Sequence, residues 1–238
     1  MNIGIAKLGK KVFFHNTSED FASWSDEVVK VYNIFRDFGH NVYMLTDSDL
    51  LDKGKNPLLE RYDRIYVFNG MDSLSALEGF KKQTKDLRLI VTDLRLVPDD
   101  ISIFSTIYTQ SPENHLNHNR HIFLPPIFVF YKYKKEYLHN KTNLIYFGGG
   151  MRNRHIDFLE YVYRPNVLYR AKILLPGFES DNRIGYDKHI KLLKKSKYSI
   201  VIADIDYNNI GFVTTRHYEN IINGVVSFVD SKYDKYIF

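Results

Sequence analysis

The chain of 238 residues contains no cysteine. Disulfides and thiolate zinc sites are therefore excluded, and a reducing cytosol fits. Nowhere do about eighteen apolar residues run together, so no membrane span is expected. The N-terminus, MNIGIAKLGKKVFF, carries too short an apolar run and no cleavage pattern, which argues against a secretory signal. Fixed-period repeats and low-complexity tracts are absent as well. What the chain does have is apolar mass: 44% of its residues are hydrophobic and 15% aromatic, including 18 Tyr and 17 Phe. That excludes a disordered chain and allows one domain or two modest ones, each with a core.

The formal net charge of +5 and a pI near 9.1 favour a polyanionic partner. Lysine is concentrated in YKYKKEY (131–137) and KHIKLLKKSK (188–197), interleaved with tyrosine and apolar residues. Such runs give salt-dependent, sequence-independent affinity for nucleic acid. For the second run, a solvated helix face is the competing reading.

Short β-rich runs alternate with helical patterns. NIGIAKLG (2–9) reads as a strand running into a glycine turn. In SDEVVKVYNIFRDFG (25–39), Val28, Val31, Tyr32, Phe35 and Phe38 form one helical stripe with Gly39 as its stop. NVYML (41–45), RIYVFN (64–69), RLIVTD (88–93) and FSTIYTQ (104–110) then read as strands. The scheme repeats with LIYFGGG (144–150), a helix over 153–163, AKILLPG (171–177), a helix over 187–197, YSIVIAD (198–204), a helix over 214–222 and VVSFVD (225–230). Near-continuous apolar strands separated by helices indicate parallel sheets covered on both faces. The proline-bearing stretch LPPIFVFYKYKK (124–135) joins two such units. The expected architecture is α/β, with Rossmann-like lobes over 1–130 and 131–238 facing a cleft.

Ligands of open parallel sheets bind beyond the carboxyl ends of the strands, so the loops there are the candidate sites. In FGGGMRNRH (147–155), Gly149 and Gly150 allow close backbone approach, and Arg152 and Arg154 offer planar donor forks to a diphosphate. The loop is neither a GxGxxG fingerprint nor a Walker loop, and an ordinary turn is the alternative. In VTTRHYE (213–219), Thr214 or Thr215 can cap a helix. Arg216 and Glu219, three apart, share one of its faces. They form either a structural ion pair or a pocket, with Arg216 on a phosphate and Glu219 accepting two ribose hydroxyls. TDLR (92–95) ends a buried strand on Asp93, a general base or a turn-stabilising aspartate. Glu27 opens the first helix as a second acidic candidate or as a favourable first-turn glutamate. His115, His118 and His121 recur every third residue in an Asn-rich loop. With no acidic or cysteine partner nearby, they read as a cleft- or DNA-facing loop rather than a metal cluster.

Taken in order, MNIGIAKLGKKV, GHNVYML, YDRIYVFNG, VTDLRL, LIYFGGGMRNR, YNNIGFVTTRHYE and VVSFVDSKYD resemble the T-even phage DNA β-glucosyltransferases over nearly the whole chain. These are two-lobed enzymes of the glycosyltransferase B fold. The resemblance implies transfer of glucose from UDP-glucose to 5-hydroxymethylcytosine in double-stranded DNA, in the cytoplasm of an infected bacterial host, as protection against nucleases. It implies Asp93 as catalytic base, with Glu27 an acidic residue beside the cleft. It assigns Arg152, Arg154 and Arg216 to the donor diphosphate, Glu219 to the ribose and Tyr207 to the donor's vicinity. Mg2+ or Mn2+ is the family's candidate aid to UDP departure. Two departures stand out. The arginine loop is two residues shorter, with Gly150 in place of a serine. The family also continues for several helices beyond the strand matching VVSFVD, so those crossover helices are expected to be missing. A transferase with another UDP-sugar or a 5-hydroxymethyluracil acceptor, and a catalytically weak nucleotide- or DNA-binding module, are the competing functions.

Overall fold

The computed structural model describes residues 1–7, 26–45, 62–69, 74–81, 84–92, 97–125, 130–131, 141–146, 155–168, 173–174, 186–202, 207, 209 and 211–230. The chain divides into two compact units, Met1–Tyr131 and Lys132–Phe238.

The first unit is built on a six-stranded parallel sheet of order β2-β1-β3-β4-β5-β6. Its strands are β1 (Asn2–Lys7), β2 (Asn41–Leu45), β3 (Arg64–Phe68), β4 (Leu87–Val91), β5 (Thr106–Thr109) and β6 (His121–Phe123). Alternate side chains serve opposite faces, and both faces are buried. Ile3, Ile5, Tyr66, Phe68 and Ile90 pack with Val28 and Val31 of helix α1 (Asp26–Asp37). Ala6, Ile65, Val67, Leu87, Leu89, Val91 and Ile107 pack with Leu77 and Phe80 of helix α2 (Leu74–Lys81). A Cβ at Gly4 would lie 2.6 Å from Leu45 Cδ1, on a neighbouring strand, so that side chain would have to shift to admit one. The expected stripe of α1 holds except at Phe38, which is exposed. The helix ends at Asp37, and Gly39, at φ +80°, reverses the chain by donating from its N–H to Arg36 O.

The second unit has a four-stranded parallel sheet of order β10-β9-β7-β8. Its strands are β7 (Thr142–Tyr146), β8 (Ile173–Leu174), β9 (Ser196–Val201) and β10 (Val226–Val229). Helix α3 (His155–Phe158) runs through a π-helical turn at Leu159–Tyr163 into α4 (Arg164–Leu168). Phe158 and Val162 of this stretch pack on Ile202. Helix α5 (Tyr186–Lys195) buries Ile190 and Leu193 against Val225, and helix α6 (Thr215–Ile222) bonds the sheet through Asn220 Nδ2, which donates to Ser227 Oγ at 2.8 Å.

In each sheet the chain starts in the interior and lays later strands to both sides. The strand order therefore reverses beside β1 in the first unit and between β7 and β9 in the second. The carboxyl ends of those strands are where parallel sheets open a crevice. Among the described residues, no helix is long and apolar enough to cross a membrane.

Candidate functional site

The chain leaves β9 at the carboxyl edge of the second sheet and returns to it through α6, so the mouth of α6 lies at that edge. The same holds for α5, which follows β8. Tyr207 sits in the connection between β9 and α6, half-buried, with its ring 4.8 Å from that of Phe212. Its carbonyl accepts the Phe212 N–H at 2.7 Å, which fixes the approach to the helix. Thr214 occupies the N-cap with extended backbone, φ −73° and ψ 148°, but its hydroxyl caps nothing. That Oγ1 is buried without a hydrogen-bond partner. The expected side-chain cap from Thr214 is thus not made.

One turn further in, three side chains converge. Arg216 Nη1 donates to Glu219 Oε2 at 3.0 Å. His189, the fourth residue of α5, places Nε2 at 3.1 Å from the same oxygen and at 2.7 Å from Arg216 Nη1. The Glu219 side chain is 8% exposed and His189 10%, while Arg216 reaches solvent at 26%. Burial disfavours charge on Glu219, yet the Arg216 charge and the His189 hydrogen bond prevail and hold its carboxyl below the ordinary range. The site thus contains an ionised carboxylate with one engaged oxygen and a guanidinium at the rim.

His217, on the buried side of α6, has the opposite character. Burial, aided by the Arg216 charge, lowers it from 6.5 to about 4, so it stays neutral at physiological pH.

The first unit presents Asn69 and Thr92 at its carboxyl edge. Asn69 Oδ1 accepts from Thr92 N at 2.8 Å and from Thr92 Oγ1 at 3.2 Å. The strand read as ending on Asp93 ends at Val91 instead, because this clamp takes the Thr92 N–H out of the strand ladder. Asp93, Gly149, Gly150, Arg152 and Arg154 lie outside the described residues. Glu27 is the second residue of α1, in its first turn. His118 and His121 are bonded within the fold. His118 Nε2 donates to Phe104 O at 3.0 Å, and His121 Nε2 lies 2.7 Å from Thr109 Oγ1.

No protein-family model and no curated protein matches the chain. Among solved structures, it is similar to the T4 phage BGT in complex with UDP and Mn2+. The likeness has a TM-score of 0.62 at 15% sequence identity and covers 98% of this chain and 82% of that one. The chain has a BGT-like fold.

Among the described residues, no group of three His, Asp or Glu side chains could hold a metal ion. Glu219 Oε2 already faces the Arg216 guanidinium, which repels a dication.

His189 is the site residue that sequence reasoning misses, because it is embedded in a lysine run. The spacing holds a signal nonetheless. Lys188, Lys191 and Lys195 share the solvent face of α5, which leaves His189 with Ile190 and Leu193 on the buried side.

Proposed function

We propose that the chain is a UDP-sugar-dependent transferase of the phage DNA-glucosyltransferase type. In this reading it moves glucose from UDP-glucose to a 5-hydroxymethylpyrimidine, hydroxymethylcytosine first, in duplex DNA within an infected bacterial host. The observation that carries the reading is the Arg216–Glu219 pair. A cation and an ionised carboxylate sit on one turn of α6, at the carboxyl edge of a parallel sheet beside its order reversal. The BGT-like fold supports it.

Arg216 turns to the diphosphate, and Glu219 accepts hydrogen bonds from the vicinal hydroxyls of the ribose. Gly149 and Gly150 let the backbone approach the phosphates, Arg152 and Arg154 add charge there, and Tyr207 flanks the donor. Asp93 takes the proton of the hydroxymethyl group on a flipped base, with Glu27 as a second acidic group. The freed oxygen bonds to C1 of the sugar as the C1–O bond to the diphosphate breaks, so the configuration inverts. UDP departs with the electron pair, and the three arginines neutralise the charge that builds on it. Lysines hold the DNA backbone without reading sequence.

Calorimetric titration of UDP tests the donor site. Glu219→Ala and Arg216→Ala should each weaken binding by about 1–3 kcal/mol, the scale of hydrogen bonds to charged groups. Wild-type affinity in both folded variants would reduce the pair to a structural ion bridge.

A further inference from the structure

Arg216 Nη1, His189 Nε2 and Glu219 Oε2 form a closed triangle with sides of 2.7, 3.1 and 3.0 Å. Arg216 Nη1 also lies 3.3 Å from His189 Nδ1, so it sits against the face of the imidazole rather than in line with the Nε2 lone pair. With a proton on Nε2, His189 therefore donates to the carboxylate while the guanidinium rests on the ring and donates to the same oxygen. A lone pair on Nε2 would instead face the carboxylate. Removing Arg216 leaves the Nε2–H bond to Oε2 in place.

The carboxylate needs that bond. Glu219 is buried, and a buried charge stripped of its partner is strongly destabilising. If an anion draws Arg216 off, His189 is what remains to hold Glu219. Both contacts land on Oε2, and Oε1 receives no hydrogen bond among the described residues. Nor is Oε1 among the side-chain atoms sealed from solvent without a partner.

We propose that His189 is a positioning residue of this site: its Nε2–H keeps hold of the Glu219 carboxylate when a phosphate draws Arg216 away, leaving Oε1 for a ligand hydroxyl. The proposal rests on the donor-site reading and deepens it. Arg216 is parked on Glu219 and His189 in the free protein, and nucleoside diphosphates engage it, whereas nucleosides do not.

The test compares UDP with uridine by calorimetry on folded proteins. His189→Leu should weaken UDP about tenfold to a hundredfold, the range for losing a hydrogen bond to a charged group, while sparing uridine, which leaves Arg216 in place. His189→Gln keeps an amide donor and should recover much of the loss. In a Glu219→Ala background, His189→Leu should have no further effect, because no carboxylate is left to hold. Equal weakening of UDP and uridine would overturn the proposal, since a merely structural histidine disturbs both. So would unchanged UDP affinity in His189→Leu where Glu219→Ala binds UDP weakly. UDP affinity that survives Glu219→Ala and Arg216→Ala would remove the donor site itself, and this role with it. The wild-type protein gives a readout that needs no variant. With UDP bound, imidazole 15N NMR should show His189 protonated at Nε2, and a ring carrying its proton on Nδ1 alone would contradict the role.

Discussion

At the scale of single residues, the titration of His217 makes the fold pH-sensitive in a defined direction. Its folded value of about 4 lies below the ordinary 6.5, so between those values the unfolded chain binds the extra proton. Stability is therefore full above pH 6.5 and falls as pH drops toward 4. A shift of this size is worth at most about 3 kcal/mol. Burial, with the neighbouring His115 and His118, lowers His121 as well and steepens the same window. The lowered carboxyls of Glu219 and Asp86 add their own loss as pH falls through the ordinary carboxylate range, from about 5 downward. Denaturant unfolding at pH 7 and pH 4.5 should show the loss, and His217→Gln should flatten it. A wild-type protein equally stable at both would contradict the account. For the proposed base, Asp93→Asn is nearly isosteric. It should spare UDP and DNA binding while lowering turnover by about 10²–10⁴-fold, measured as UDP release. Turnover within a few-fold of wild type would pass the role to Glu27.

At the scale of elements, the two edges of the first sheet do different work. The amino edge is closed by Asp86, whose carboxylate accepts from Arg64 Nε at 2.6 Å, from Arg88 Nε at 2.9 Å and from Ser105 Oγ. Burial opposes the charge, but these donors hold the Asp86 carboxyl well below its usual range. Asp86→Ala would leave two guanidiniums facing each other without their shared carboxylate. The site is about a quarter exposed, so the expected loss is about 2 kcal/mol in denaturant unfolding, with UDP affinity unchanged. Reduced UDP affinity in the folded variant would mean that this edge reaches the donor site.

Legibility in the sequence follows from how local each cause is. RIYVFN announces β3 because both faces of a central parallel strand are apolar. NVYML announces β2 as an apolar run, although Tyr43 of this edge strand is exposed. Arg216 and Glu219 announce their pairing by falling on one helix turn. Helix α2 escapes notice because LSALEGFK is short and contains Gly79; among the described residues, Leu77 and Phe80 pack it on the sheet. The early end of β4 escapes for another reason, since it depends on Asn69, which is 23 residues away from Thr92. His189 and Glu219 lie 30 residues apart on different helices, and nothing in either segment alone shows that they meet.

At the scale of the whole molecule, the charge of +5 gains a surface in the exposed Lys188, Lys191, Lys195 and Lys197 of the α5–β9 stretch. Duplex DNA should bind with little sequence preference and with an affinity that falls steeply from low to moderate salt. A flat salt response in a binding assay would point to a small acceptor. The measurement that tests the central claim most directly is nucleoside mass after incubation of hydroxymethylated duplex DNA with the protein and UDP-glucose. The account predicts a hexose increment on 5-hydroxymethylcytosine, accompanied by release of one UDP per modified base. DNA returned unmodified by a protein that binds both UDP and duplex would contradict it and leave a binding module in its place.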